Sequence, residues 1–192
     1  MNWKRSILIK IFEIVFYTDQ NLRVCLPKVK GTFSRYLTWY LIKSMDVINQ
    51  IVIHAILNKI GWPYKSIYGD KVSLTAYYVI MHSSKEKIRK YIKQLAFATE
   101  LGEADCQHLA NMIDRLLKYR GKKQIYGNAI RGLKINGQLQ YYIYPIVNFK
   151  DVNKRRKKIG LKHTIEEYAE INNAILNYGD DISIRLTRYL CD

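Results

Sequence analysis

A mainly α fold, a compact multi-helix domain carrying a small β-hairpin toward the C-terminal half, is what the sequence predicts, and three observations predict it. Apolar residues recur three and four positions apart through most of the chain, which is the primary sign of amphipathic helices. One stretch, 138–147, combines β-branched and aromatic residues as strands do. No internal repeat, low-complexity tract or long linker divides the 192 residues, so one domain over 1–192 is expected.

The helical spacing marks segments at 4–17, 34–42, 45–60, 71–82, 85–101, 105–119 and 165–177. In the first, Lys4 and Arg5 precede an apolar stretch as in a signal peptide. Lys10 and Glu13 interrupt that stretch and no small-residue cleavage site follows, so an amphipathic helix is expected. Gly61-Trp62-Pro63 ends the third segment, because Pro63 has no N–H and biases Trp62 away from the helical region. Ser84 stands where an N-cap is needed for the fifth, with Lys85 and Glu86 in its first turn. Residues 124–130 are expected to pair with 138–147 across the turn-rich 132–137, and the charged segment 150–158 to lead into the last helix. No run approaches the roughly 20 apolar residues of a membrane span, so no transmembrane segment is expected. A helix lying on a membrane surface is the lesser alternative, kept open by the net charge.

That charge is the strongest compositional signal: 32 Lys+Arg against 16 Asp+Glu give +16 and a pI near 9.7. Such an excess repels itself unless it meets phosphates, anionic lipid or acidic protein. An AT-rich genome would enrich Lys, Ile, Asn and Tyr together, as here, but would not make Asp and Glu scarce. An anionic partner (nucleotide, nucleic acid or acidic protein) is therefore expected. A hydrophobic content of 48% with 25% charged residues excludes the disordered class. Cys25, Cys106 and Cys191 are far apart and odd in number, with no C-x-x-C pair. This argues against a disulfide framework or a thiolate zinc site, and a reducing, cytoplasmic location is expected.

Strong motifs are mostly near misses. Residues 127–134 resemble a phosphate-binding loop, but Lys134 comes one residue late and Ile135 replaces the required hydroxyl. Glu100, Glu103, Asp105, Cys106 and His108 crowd a helix junction without metal-ligand spacing, which fits a solvated acidic turn, and no metal is expected. Lys85, Lys87, Arg89, Lys90 and Lys93 surround one polar side of the fifth segment, a solvated face that also suits phosphates. In 105–119 the apolar stripe is Leu109, Met112, Ile113, Leu116 and Leu117, and Asp114 and Arg115 fall off it. Neighbours on a helix do not face each other, so each is placed to meet a different partner. His82 closes the helix whose apolar face is Leu74, Tyr77, Tyr78 and Met81, with Ser83 and Ser84 beside it. Of the four histidines it is the best placed for acid–base chemistry.

In order, the chain carries Asp19-Gln20-x-x-Arg23, Gly61-Trp62-Pro63, Tyr68-Gly69, a helix ending in His82, Asp114-Arg115 and Gln124-Ile125-Tyr126-Gly127. Asn153-x-Arg155-Arg156-x-x-Ile159-Gly160-Leu161 and then Glu166-Glu167-Tyr168 follow. This order and spacing, more than any one motif, resembles the bacterial family designated domain of unknown function 6624, over about 19–170. The chain departs from the family's tendency at Met81, Ser84 and Asn128, where the resemblance implies Gln, an acid and Thr. The resemblance implies that His82, Asp114, Arg115, Gln124 and Tyr126 group in space, and it supplies no substrate. The same residues also suit a buried polar network, and Asp19 and Arg23 stand i, i+4 in the order that favours an ion pair.

The leading expectation is an enzyme acting on a phosphate-bearing substrate, nucleotide or nucleic acid, without a tightly bound cofactor. Its catalytic residues are His82 for proton transfer, Asp114 as orienting partner and Tyr126. Arg115 is the anion clamp, its planar fork matching phosphate oxygens, with Gln124, Arg155 and Arg156 also on the substrate. The alternative is a non-catalytic basic module for nucleic acid or an acidic protein, whose 16 tyrosines offer stacking surfaces. A small delivered toxin is a third class compatible with size and charge.

Overall fold

The periodic segments become helices in the computed structural model, which describes residues 3–135 and 138–176. Among those residues the helices are α1 (Trp3–Cys25), α2 (Thr32–Ile60), α3 (Lys65–Tyr68), α4 (Asp70–Met81), α5 (Lys85–Glu100), α6 (Cys106–Tyr119), α7 (Val152–Ile159) and α8 (Ile165–Ile171). A small sheet holds β1 (Ile130–Ile135), β2 (Gln138–Ile143) and β3 (Ala174–Ile175). The protein is thus mainly α, with its β structure in the C-terminal half. Contacts cluster into two compact units, Met1–Asp105 and Cys106–Asp192.

In the first unit α1 packs on α2 and α4, and α4 also meets α2, α3 and α5. Its core is Phe12, Val15, Ile53, Leu57, Ile80 and Leu95, all buried. The expected helices 34–42 and 45–60 are one helix, α2. Lys43 and Ser44 interrupt the apolar pattern but not the backbone: neither is Gly or Pro, and the Ser44 hydroxyl bonds to Tyr40 O at 3.1 Å. Joined, α2 is long and apolar enough to cross a membrane by length and composition, and 33% of its apolar window is buried inside the protein. α1 runs past Tyr17 to Cys25, where Asp19 pairs with Arg23 one turn on. Gly61, at φ 73°, closes α2 as expected.

In the second unit β1 and β2 form an antiparallel hairpin with Ile130 opposite Ile143, and β3 adds to β2 in parallel, Ala174 opposite Tyr141. The first strand is therefore 130–135 and not 124–130; Gln124 makes only an isolated bridge to Ile146. The charged segment 150–158 is helical: a short 3-10 turn, Phe149–Asp151, leads into α7. α8 starts at a full capping box, the Thr164 side chain accepting from Glu167 N–H and the Glu167 carboxylate from Thr164 N–H. It stops earlier than expected, where Asn173 adopts φ 47° and turns the chain into β3. Asn177 and Cys191 lie outside the described residues; Cys25 and Cys106 form no disulfide among them.

One core histidine carries a consequence for stability. His54, on the inner face of α2, stacks on Tyr91 with ring centroids 5.3 Å apart and 5° between planes. Ser83 Oγ, 3.3 Å from His54 Nε2, donates its own proton to Val79 O, so the imidazole donates from Nε2. That leaves Nδ1 buried without a partner. Burial first, then Lys87 and Lys90, push the His54 pKa down from 6.5 to about 4. A depressed folded pKa means stability that is fully present above about pH 6.5 and is lost as pH falls toward about 4. Between those values the wild type should lose on the order of 2 kcal/mol more stability than His54→Phe, which keeps the stack but cannot titrate. Urea unfolding across this range checks it, and parallel pH profiles would contradict it.

Candidate functional site

Polar side chains in the first unit converge where α4 ends. His82 is the C-cap residue of α4, its N–H bonded to Tyr78 O at 3.0 Å, and its carbonyl accepts from Gln50 Nε2 on α2 at 3.2 Å. Its ring Nδ1 lies 3.1 Å from Asp19 Oδ1. The Asp19 side chain is 2% exposed and that of His82 24%. Asp19 also accepts from Gln20 Nε2 and, at 3.3 Å, from Arg23. The same Arg23 guanidinium pairs with Asp46 on α2, and Thr18 Oγ1 donates to Asn49 Oδ1 at 3.0 Å beside it.

The two aspartates titrate in opposite directions. Burial would raise the Asp19 carboxyl, but its bond to His82, the His82 charge and then Arg23 outweigh burial and hold it below the usual carboxylate range. Asp46 is pushed up by burial, against the pull of Arg23 and His82. An ionised Asp19 can only accept, so His82 donates from Nδ1, and in the neutral form of the ring the lone pair is on Nε2. No hydrogen bond engages Nε2 among the described residues. The arrangement can take a proton at Nε2 and stabilise the resulting imidazolium through Asp19. Ligand atoms of Asp19, Asp46 and His82 all lie within 4.8 Å of one another, a spacing that could hold a metal ion. Arg23 already binds both carboxylates, so a divalent ion would have to displace it.

In the second unit the expected site residues other than Arg115 form one network around a turn. Asp114, fully buried on α6, accepts backbone N–H bonds from Ile125 (2.8 Å), Tyr126 (3.0 Å) and Asn128 (2.9 Å). Burial pushes its carboxyl up, although those three bonds and Arg156 pull the other way. Gln124, equally buried, accepts from Ala129 N–H at 2.8 Å and donates to the Ala129 and Tyr144 carbonyls. Arg156, 1% exposed, donates to His163 O, Tyr126 O and Asn128 Oδ1, and its guanidinium lies over the Tyr168 ring. Arg155 donates to the carbonyls of Ile125, Val147 and Asn148. Asn153 links α7 to α8, donating to Glu166 and accepting from Ile165 N–H. Arg115 bonds to Tyr119 OH at 3.2 Å on its own helix, and the Tyr126 phenol is half-buried, its pKa raised by burial and then by Asp114.

Asp114, Tyr126, Gln124, Arg155 and Arg156 are thus brought together, largely through backbone groups, whereas His82 belongs to the other unit and keeps company with Asp19. Sequence reasoning paired Asp19 with Arg23 but did not join either to His82, and it missed Asp46. The available signal was an acid on the apolar α2, three residues before Asn49, where only a buried partner would explain it.

Gly127 holds the turn at φ 81°, and a Cβ there would stand 2.8 Å from Ile146 Cδ1, so Gly127→Ala adds strain to a clash. Asp114→Asn would set an amide donor against a backbone donor. Each should lower stability by about 2–3 kcal/mol, and Arg115→Ala by less than about 0.5 kcal/mol. Thermal unfolding of the three variants measures this; wild-type stability in Asp114→Asn would contradict the network's role.

A family model described as a family of unknown function (DUF6624) matches residues 35–180. The match begins after Asp19 and Arg23 and extends beyond the expected end near 170. No curated protein and no solved structure matches the chain.

Proposed function

The chain belongs to the family of unknown function DUF6624, and we propose that it is an enzyme in which His82 moves a proton on a phosphate-bearing substrate, a nucleotide or nucleic acid. The observation that carries this reading is the Asp19–His82 pair: a buried carboxylate holds Nδ1 at 3.1 Å and leaves Nε2, on a side chain 24% exposed, to act. Fixing the tautomer and balancing the imidazolium are what a general base requires of its partner. Asp19 therefore takes the orienting role expected of Asp114, and Asp114, Gln124, Arg155 and Arg156 serve as the scaffold of the second unit.

The phosphate preference rests on charge near His82. α5 begins three residues later and presents Lys85, Lys87, Arg89, Lys90 and Lys93 to solvent over its buried Ile88, Tyr91 and Leu95. Its N-terminus adds the positive end of a helix dipole. Those exposed cations also favour the second reading, a non-catalytic module that holds a polyanion; a steep salt dependence without product would mark it.

Turnover of a panel of nucleotides and phosphodiesters tests the proposal. His82→Gln should lower kcat by roughly 10²–10⁴-fold, and Asp19→Asn should lower kcat more than it changes KM. Unimpaired turnover in His82→Gln would sink the reading.

A further inference from the structure

We propose that α1 and α2 form a docking face for an anionic membrane surface, lying in the interface and not crossing it. This goes beyond the His82 chemistry and does not depend on it. α2 is apolar on two sides. Its inner side buries Ile42, Ile53 and Leu57, while Phe33, Leu37, Tyr40, Val47 and Ile51 are exposed, Phe33 by 77% and Ile51 by 66%. Recurring at intervals of three, four and seven, at about 100° per residue, these exposed residues fall on one side of the helix. A soluble surface scatters its exposed apolar residues singly, whereas a continuous stripe marks an interaction face. α1 repeats the pattern with Ile7, Ile14, Tyr17 and Val24, all exposed.

Ile7 of the α1 stripe reaches the end of α2. Where the start of α1 meets the end of α2, a groove of about 400 Å³ is floored by Ile7, Leu8, Ala55, Ile56 and Ile60, and Lys4 and Lys59 complete its lining. Apolar floor and two ammonium groups suit a lipid chain and an anionic headgroup.

Charge selects the occupant. Among the described residues of α1 and α2 the only exposed acid is Glu13, while Lys10 and Lys43 are exposed cations, joined by Lys28 and Lys30 in the connection. A second copy of the chain would bring the same positive face and the same +16 against it; anionic headgroups neutralise it. Tyr36 and Tyr40, both exposed, have the amphipathic rings that settle at headgroup depth. In-plane docking follows from the inner side of α2, which carries Asp46, Asn49 and His54 buried against protein and so cannot face hydrocarbon.

Flotation of the full chain with vesicles of phosphatidylcholine, with and without phosphatidylglycerol, tests the proposal. The wild type should partition to the anionic vesicles on the order of tenfold more strongly, and lose that preference at high salt. Leu37→Glu and Ile51→Glu, both at exposed positions, should abolish binding with circular dichroism unchanged. Equal partition to neutral vesicles, or undiminished binding by both variants, overturns the proposal. So does a wild-type homodimer in light scattering that Leu37→Glu dissolves, which would assign the face to a second copy.

Discussion

A carboxylate taken out of water must be met by donors, and the described structure is organised around two that are. Asp19 is 3% exposed in the first unit and Asp114 0% in the second. Leaving either unpaired would cost several kcal/mol, so each dictates the placing of its neighbours. Around Asp114 the donors are backbone N–H groups of the 125–128 turn, which fixes where the chain runs between α6 and the sheet. Around Asp19 they are side chains from α1 and the end of α4, with Arg23 extending the cluster to Asp46 on α2. The first arrangement uses up its hydrogen bonds in structure. The second leaves one ring nitrogen open, and there the chemistry is proposed.

The same logic separates what the sequence made legible from what it hid. Helical periodicity located α4, α5 and α6 to within a residue or two, but only α5 buries a single face; α4 buries Val72, Ala76, Val79 and Ile80 while Leu74, Tyr78 and Met81 of its expected apolar face are half-buried, and of the expected α6 stripe only Met112 is buried. The same periodicity split α2 in two, since the polar Lys43–Ser44 step lies on a side where pattern and backbone disagree. Residues 124–130 are expected to pair with 138–147; in the fold the Gln124 side chain bonds to Ala129 and Tyr144, its backbone makes one isolated bridge to Ile146, and the regular ladder starts at Ile130. Asp114 lay off the apolar stripe of α6 yet is wholly buried, since periodicity registers apolar burial and is blind to a polar side chain that meets backbone donors. His82 was legible as an acid–base candidate from its helix-end position, and the Asp19–Arg23 pair from i, i+4 spacing. Their union was not, because 63 residues separate Asp19 from His82 and nothing local links them.

The excess positive charge has two distinct structural expressions in the first unit. On α5 exposed cations lie over a conventional buried stripe, as on any solvated helix, and their interest comes from the nearness of His82 in sequence. On α1 and α2 the cations accompany exposed apolar side chains, a combination that solvent alone does not favour. The first is where a phosphate ester is proposed to bind, the second where an assembled anionic surface is proposed to dock.

The account's central claim is that Asp19 holds His82 with Nδ1 protonated and Nε2 open. Long-range ¹H–¹⁵N correlation of the histidine rings, at a pH where they are deprotonated, tests it most directly. The account predicts a protonated Nδ1 and an unprotonated Nε2 at His82, with a nucleoside monophosphate perturbing Nε2 first and Asp19→Asn redistributing the proton between the two nitrogens. A His82 ring protonated at Nε2 alone, unchanged in Asp19→Asn, would contradict it.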